Sequence, residues 1–394
     1  MRRFLIFLLL LTFMLPAFAL GEEGDVYRDN LIAVPSDITP AYRSEYHPEH
    51  EGCYWCTPMD ITDEAAVWAM LTAPMTVVDI DQMKQTEIYA EPDENSKKIG
   101  MVTGQSQALH VLEKMDNGWT KVETYSTSFF DSSVKNYNAF VTGYIRSNML
   151  KTVTPNQNYG IVVDKLTQRL YLFKDGHLET CLVVSTGLYN KSQPWNETRS
   201  GEFLIIYTKT GELKDGKTVS KYALRFNQAD YLHQVCYDKR GEDEKDFTPY
   251  EPYLGQRRSH GCIRVQRVLN AQGYTMAKLA DLIKNRTDKN CVKLVIWEDY
   301  QGRQIQTPSD DAVLYYNPKG GQYYHASSGH EGNIKKSLWP LPSFTYGELD
   351  EEPYSKLKPC PYCHPMPRET EIEEINKVHM ESSPGEVMSY HTGK

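Results

Sequence analysis

The sequence predicts a mainly β protein: two consecutive strand-rich units, flanked by small segments that carry paired cysteines. Three observations point there. Between residues 75 and 297, apolar residues alternate in short runs broken by Gly, Asn, Asp and Pro. That is the pattern of half-buried strands joined by turns. Helical spacing of apolar residues is confined to two short stretches, Asp63–Leu71 and Leu269–Lys284. A length of 394 residues allows two or three domains.

The chain opens with MRRFLIFLLLLTFMLPAFAL. Arg2 and Arg3 precede an apolar run, Phe4 to Leu15, that is too short to span a bilayer. Pro16 breaks it, and Ala17-Phe18-Ala19 is a small-x-small cleavage site. Residues 1–19 therefore read as a secretory signal peptide, with an uncleaved anchor as the alternative. No other stretch approaches the ~20 apolar residues of a transmembrane helix. The mature chain is thus expected outside the cytoplasm with no membrane-spanning segment. A formal net charge of −9 argues against nucleic acid, and against a polybasic membrane contact.

Residues 20–74 form an N-terminal Cys/His segment with a helix over Asp63–Leu71, acids in its first turn. Residues 75–152 read as short strands. In residues 158–298, "YGIVVDKLTQRLYLF" and "HLETCLVVSTG" around the turn at 174–176 predict a three-strand meander. "SGEFLIIYT" and the closing "VKLVIW" add strands. Met276, Leu279, Leu282 and Ile283 give the helix over 269–284 one apolar face. Residues 299–366 form a small Cys/His module with a hairpin turned at 317–321. The polar tail, 367–394, is expected to be disordered.

The chemistry concentrates in Arg257–Val265, RRSHGCIRV. A thiolate is the reactive form of cysteine and needs a base or a positive neighbour. Gly261, just before Cys262, lets the backbone approach closely and adopt unusual dihedrals. Acyl transfer also requires N–H groups aimed at a developing oxyanion. His260, adjacent in sequence, is badly placed as the base. His233, 29 residues upstream, is the better candidate, because nucleophile and base usually meet in space. The Gln234 carbonyl could accept its other ring proton. Ser259 is expected to hydrogen-bond within the turn.

At these residues the segment resembles the L,D-transpeptidase catalytic domain, the YkuD-like fold. Ser259-His260-Gly261-Cys262-Ile263-Arg264 matches that family's signature without a gap. Ser185-Thr186-Gly187 and "TRSGEF" (198–203) stand where the family has Ser-Thr-Gly and Thr-Pro-x-Gly-x-Phe, with Arg199 in place of Pro. The resemblance implies a β-sandwich with a short helix and no cofactor for catalysis. Cys262 would attack the carbonyl after the third residue of a peptidoglycan tetrapeptide stem and expel the terminal D-Ala. A neighbouring stem's amine would resolve the thioester into a 3→3 cross-link; water would make the enzyme an L,D-carboxypeptidase. His233 would be the base, and the amides of His260, Gly261 and Cys262 the oxyanion donors. Arg264 would steady the loop or face a substrate carboxylate. The spacer 236–257 is longer than in compact members and could form a lid. Residues 75–152 resemble the bacterial SH3-like domain at Pro92, Gly100, Gly118-Trp119 and Gly143-Tyr144-Ile145, with an insertion from Ser126 to Ala139. Such modules bind wall peptides or act as spacers. The rival readings are a non-catalytic wall-binding protein and a cysteine endopeptidase.

Two Cys/His sets remain. His47, His50, Cys53 and Cys56 are spaced for a local zinc site. His325, Cys360, Cys363 and His364 form a second candidate, with His330 nearby in sequence. Structural zinc, disulfides and redox chemistry all remain open for both, as does a single site closed by the two CxxC pairs.

Overall fold

The computed structural model describes residues 54, 57 and 60–382, apart from 189–190, 242–243, 271, 298–303 and 330–333. The expected signal peptide and the set His47, His50, Cys53, Cys56 lie outside the described residues, as does His330.

The protein is mainly β. The first sheet comprises β1 (Met75–Val78), β2 (Gln85–Tyr89), β3 (Lys98–Thr103), β4 (Ala108–Lys114), β5 (Trp119–Thr127), β6 (Tyr137–Arg146) and β7 (Leu150–Val153). Its order is β3-β2-β6-β5-β4-β1-β7. Alternating residues such as Ile88, Val102, Val122 and Val141 fill its core. The insertion noted in the sequence centres on the connection between β5 and β6, where the Ser128 carbonyl accepts from Arg199.

That second sheet comprises β8 (Tyr159–Asp164), β9 (Arg169–Lys174), β10 (His177–Ser185), β11 (Gly201–Leu204), β12 (Tyr207–Asp215), β13 (Thr218–Asn227), β14 (Asp230–Gln234), β15 (Tyr237–Arg240), β16 (Glu244–Asp246), β17 (Ile263–Val265) and β18 (Lys293–Trp297). The order is β11-β18-β8-β9-β10-β17-β14-β13-β15-β16, with β12 beside β13. The expected meander is β8-β9-β10, antiparallel throughout. At the end of β10, Val184 and Ser185 pair with Val265 and Arg264 of β17. This short junction joins the two halves, and the sheet curls around Ile161, Leu172, Phe203, Leu224 and Ile263.

Helix α2 (Met276–Asn285) drives Met276, Leu279, Ala280 and Ile283 into that core. It starts later than the sequence suggests. Thr275 caps it, accepting from the Lys278 amide, while Leu269 is exposed and Gly273 turns with φ +73°. Helix α1 (Glu64–Thr72), capped by Asp63, covers the opposite face of the sheet. Its Val67, Met70 and Leu71 pack with Val162, Tyr171, Phe173, Val295 and Trp297. The helix thus precedes the first sheet in sequence but packs on the second. Covering both faces explains why β8 and β18 are apolar runs rather than alternating strands.

The spacer 236–257 folds as β15, β16 and a short turn, packing Phe247, Tyr250 and Leu254 against Val183 and Val235, with Tyr250 under Arg264.

The C-terminal module holds β19 (Val313–Tyr316), β20 (Tyr323–His325), β21 (Ser343–Thr345) and β22 (Lys358–Pro359), in the order β21-β19-β20-β22. The hairpin is as expected. The tail expected to be disordered from residue 367 is instead helical over α3 (Glu369–Ser382). Ile372 enters a core with Leu314, Tyr324 and Phe344. Asn376 both accepts from the Ile305 amide (2.7 Å) and donates to the Ile305 carbonyl (2.9 Å). Composition suggested disorder because the helix buries only a narrow stripe; docking supplies the rest. Residues 383–394 lie outside the described residues.

Candidate active site

The loop Arg258–Cys262 is held from both sides. Thr186 O accepts from the amides of Arg258 (2.8 Å) and Ser259 (2.9 Å), and Ser259 bridges Gly187. Beyond the loop, β17 lies parallel to β14 in the register Leu232↔Ile263, His233↔Arg264, Gln234↔Val265. Leu232, Ile263 and Val265 face the core. Side chains alternate along a strand, so Cys262, Arg264 and His233 share the other face. The sheet register, not the sequence spacing, puts the predicted nucleophile and base on one face of the sheet.

His233 is buried, and its Nδ1 lies 2.7 Å from Gln234 O. A carbonyl can only accept, so Nδ1 carries the proton and Nε2 keeps its lone pair. Burial, helped by the Arg264 charge and opposed by the Gln234 carbonyl, pushes the imidazole pKa down to about 4. Cys262 is half-buried, with its Sγ 3.8 Å from Ala229 O. Burial and then the Asp230 charge push its thiol up to about 12, opposed by the Tyr231 backbone and Arg264. At rest the pair is therefore a neutral thiol and a neutral imidazole.

A polar spine beneath the loop was not read from the sequence. Thr198 Oγ1 donates to Gly261 O (2.8 Å) and accepts from Gly187 N (2.7 Å). Arg199, where the family pattern has Pro, is buried and lies 3.6 Å from Asp230 Oδ2. It donates to the carbonyls of Trp195 (2.8 Å), Glu197 (3.0 Å) and, in the β5–β6 connection, Ser128 (2.7 Å). Its guanidinium stacks on Phe129. Buried Glu197 pairs with Lys165 and Arg257, and Arg257 Nη2 lies 2.7 Å from His379 Nδ1 on α3. The only sequence signal was the departure from the family pattern at Arg199.

The remaining predicted residues fall as follows. Ser259 Oγ donates to Cys262 O and accepts from Gly261 N at 3.3 Å, the turn role expected of it. The Gly261 amide is thereby engaged, contrary to the expectation that it is an open oxyanion donor. Gly261 has φ +120°, a conformation side-chain-bearing residues rarely adopt. His260 is exposed. Arg264 donates to Arg258 O (3.4 Å) and stacks over Tyr250. In the C-terminal set, ligand atoms of His325, Cys360 and Cys363 lie within 4.8 Å of one another. His364 does not join them; it lines a cleft of about 1050 Å³ with Arg257, Arg258 and Pro361. Cys262 does not line that cleft. Cys181 packs against the outer-face cluster, with its thiol pushed up to about 11 by burial. Among the described residues no helix is long and apolar enough to cross a membrane.

Residues 158–292, about a third of the chain, match the YkuD family, the L,D-transpeptidase catalytic domain. Solved structures similar to the chain include the catalytic domain of an E. faecium L,D-transpeptidase, at 16% identity. That match covers 36% of this chain and 98% of that one, with a TM-score of 0.24. An L,D-transpeptidase from Mycobacterium tuberculosis is 12% identical over 66% of this chain and 89% of its own, with a TM-score of 0.26. One from Xylanimonas cellulosilytica is 13% identical over 36% of this chain, with a TM-score of 0.24; the chain spans only 60% of its length. No curated protein matches the chain.

Proposed function

We propose, on the match of residues 158–292 to L,D-transpeptidase catalytic domains, that this chain is an exported transpeptidase of the bacterial wall. The observation that carries the reading is the shared face of Cys262 and His233 on adjacent parallel strands. As Cys262 Sγ attacks the carbonyl of the third stem residue, its proton passes to His233 Nε2. The bond to the terminal D-Ala breaks, and the departing amine takes that proton. A thioester remains on Cys262. The side-chain amine of a neighbouring stem then attacks it, forming a 3→3 amide and returning the thiol. The amides of His260 and Cys262 are the oxyanion donors in this reading, since Gly261 N is held by Ser259. Catalysis needs no cofactor.

The other segments fit an exported enzyme. Residues 1–19 serve as its signal peptide. The first sheet, a small antiparallel unit, serves as an SH3-like module toward the wall, and its β5–β6 connection braces Arg199.

The test is intact-protein mass spectrometry of the mature chain with disaccharide-tetrapeptide, beside Cys262→Ala. An adduct equal to substrate minus D-Ala, absent from the variant, is expected. Addition of a diamino acceptor should then release a cross-linked product, whereas release only by water would make the enzyme a carboxypeptidase. A folded chain with a titratable Cys262 thiol and no adduct would overturn acyl transfer and favour a wall-binding protein. Cleavage inside cross-bridges would favour an endopeptidase.

A further inference from the structure

We infer that His325, Cys360 and Cys363 form a zinc site that staples the C-terminal module, independent of the chemistry at Cys262. Parallel pairing of β20 with β22 aligns Tyr323 with Lys358 and Tyr324 with Pro359. The next step along both strands brings His325 beside Cys360, whose amide donates to Tyr324 O at 3.0 Å. The chain then turns at once. His364 N donates to Cys360 O (3.0 Å), and His364 adopts φ +45°. That bond closes the turn and brings Cys363 back to the same point.

The geometry is that of a metal's coordination edges. Zn–S of about 2.3 Å and Zn–N of about 2.0–2.1 Å at tetrahedral angles put ligand atoms roughly 3.5–3.8 Å apart. Cys363 Sγ lies 3.7 Å from His325 Nδ1, and all three ligand atoms fall within 4.8 Å. Backbone amides point at both sulfurs: Tyr362 N at Cys360 Sγ (3.4 Å) and Ala326 N at Cys363 Sγ (3.3 Å). Such donors favour the anionic thiolate that a metal requires. His325 and Cys360 are buried. Binding M²⁺ would replace the two thiol protons and balance charge without any oxidant. Two thiolates with an imidazole select zinc over hard cations. A water or a further side chain completes the tetrahedron.

The need for a staple follows from size. The module has four short strands and a small apolar cluster, and small units commonly rely on metals or disulfides. The turn that the metal would anchor also runs into the wall of the cleft beside Arg257 and Arg258.

The test uses the reduced mature chain with Co(II) as the probe, then Zn(II) in competition. Thiolate-to-cobalt charge transfer and tetrahedral ligand-field bands are expected, displaced by zinc. They should be lost in Cys360→Ser and in Cys363→Ser, with the far-UV circular dichroism of the wild type retained as evidence of folding. In the wild-type chain, peptide mapping after alkylation should show zinc protecting Cys360 and Cys363, and a chelator exposing them. Absorption unchanged by either substitution, equal labelling with zinc and chelator, or a Cys360–Cys363 disulfide in the secreted protein would each overturn the site. None of these readouts depends on Cys262, so transpeptidation can fail while the metal site stands.

Discussion

The Arg199 guanidinium and the Asp230 carboxylate meet 3.6 Å apart, both buried, directly under Gly261. A Cβ at Gly261 would lie 2.6 Å from Asp230 Oδ1 and 3.3 Å from Arg199 Nη1. The loop bearing Cys262 is thus seated on an ion pair, and that pair is anchored to Ser128 in the β5–β6 connection. Burial raises the Asp230 pKa, and the Arg199 charge and the Asn227 hydrogen bond only partly oppose this.

Breaking the pair from one side should be costly. Arg199→Met leaves a buried carboxylate uncompensated, at about 3–5 kcal/mol. Arg199→Met with Asp230→Asn should recover most of that loss in denaturant unfolding. A double variant as unstable as the single would show that the two residues are not coupled.

Gly261→Ala should fold with a distorted loop. Its φ of +120° strains any side-chain-bearing residue, at about 1–3 kcal/mol, and its methyl displaces Asp230. Acyl-enzyme formation, followed by intact mass against time, should slow by ~10²-fold or more. A wild-type rate would remove the loop geometry from the mechanism.

Thr198→Val keeps the shape but leaves Gly261 O and Gly187 N without their hydroxyl partner. The expected cost is about 1–3 kcal/mol, with slowed acylation. Thr198→Ser should restore both stability and rate, and failure of that rescue would assign the effect to packing.

The pH profile should carry the mark of a depressed imidazole. In the proposed reaction acylation uses neutral His233, so its acidic limb should fall near the shifted value of about 4 rather than near 6.5. Stability has its own sign. As pH falls through 6.5 toward 4, the unfolded chain takes up a proton on His233 that the folded chain refuses, so stability drops. Above 6.5 the contribution is fully present, on the order of 3 kcal/mol. Unfolding free energies of wild type and His233→Gln across this window would show the slope, and identical slopes would contradict it.

Much of the site was legible in the sequence because its chemistry is local. Ser259, Gly261 and Cys262 work through turn dihedrals and near-neighbour hydrogen bonds, so a contiguous hexapeptide announces them. The Gln234 carbonyl beside His233 was readable for the same reason. The strands of the meander also declare themselves, through alternation and turn residues. The tertiary structure decided what depends on pairing between distant segments. Register between β14 and β17 puts His233 on the face of Cys262. The fold alone buries Arg199 against Asp230, docks α1 on the sheet of β8 and β18, and orders α3 through Asn376 and Ile372. It also collects His325 from one strand and the CPYC turn from another. These are long-range contacts whose partners lie tens to hundreds of residues apart. Burial and desolvation arise only when the chain closes, so no local pattern records them.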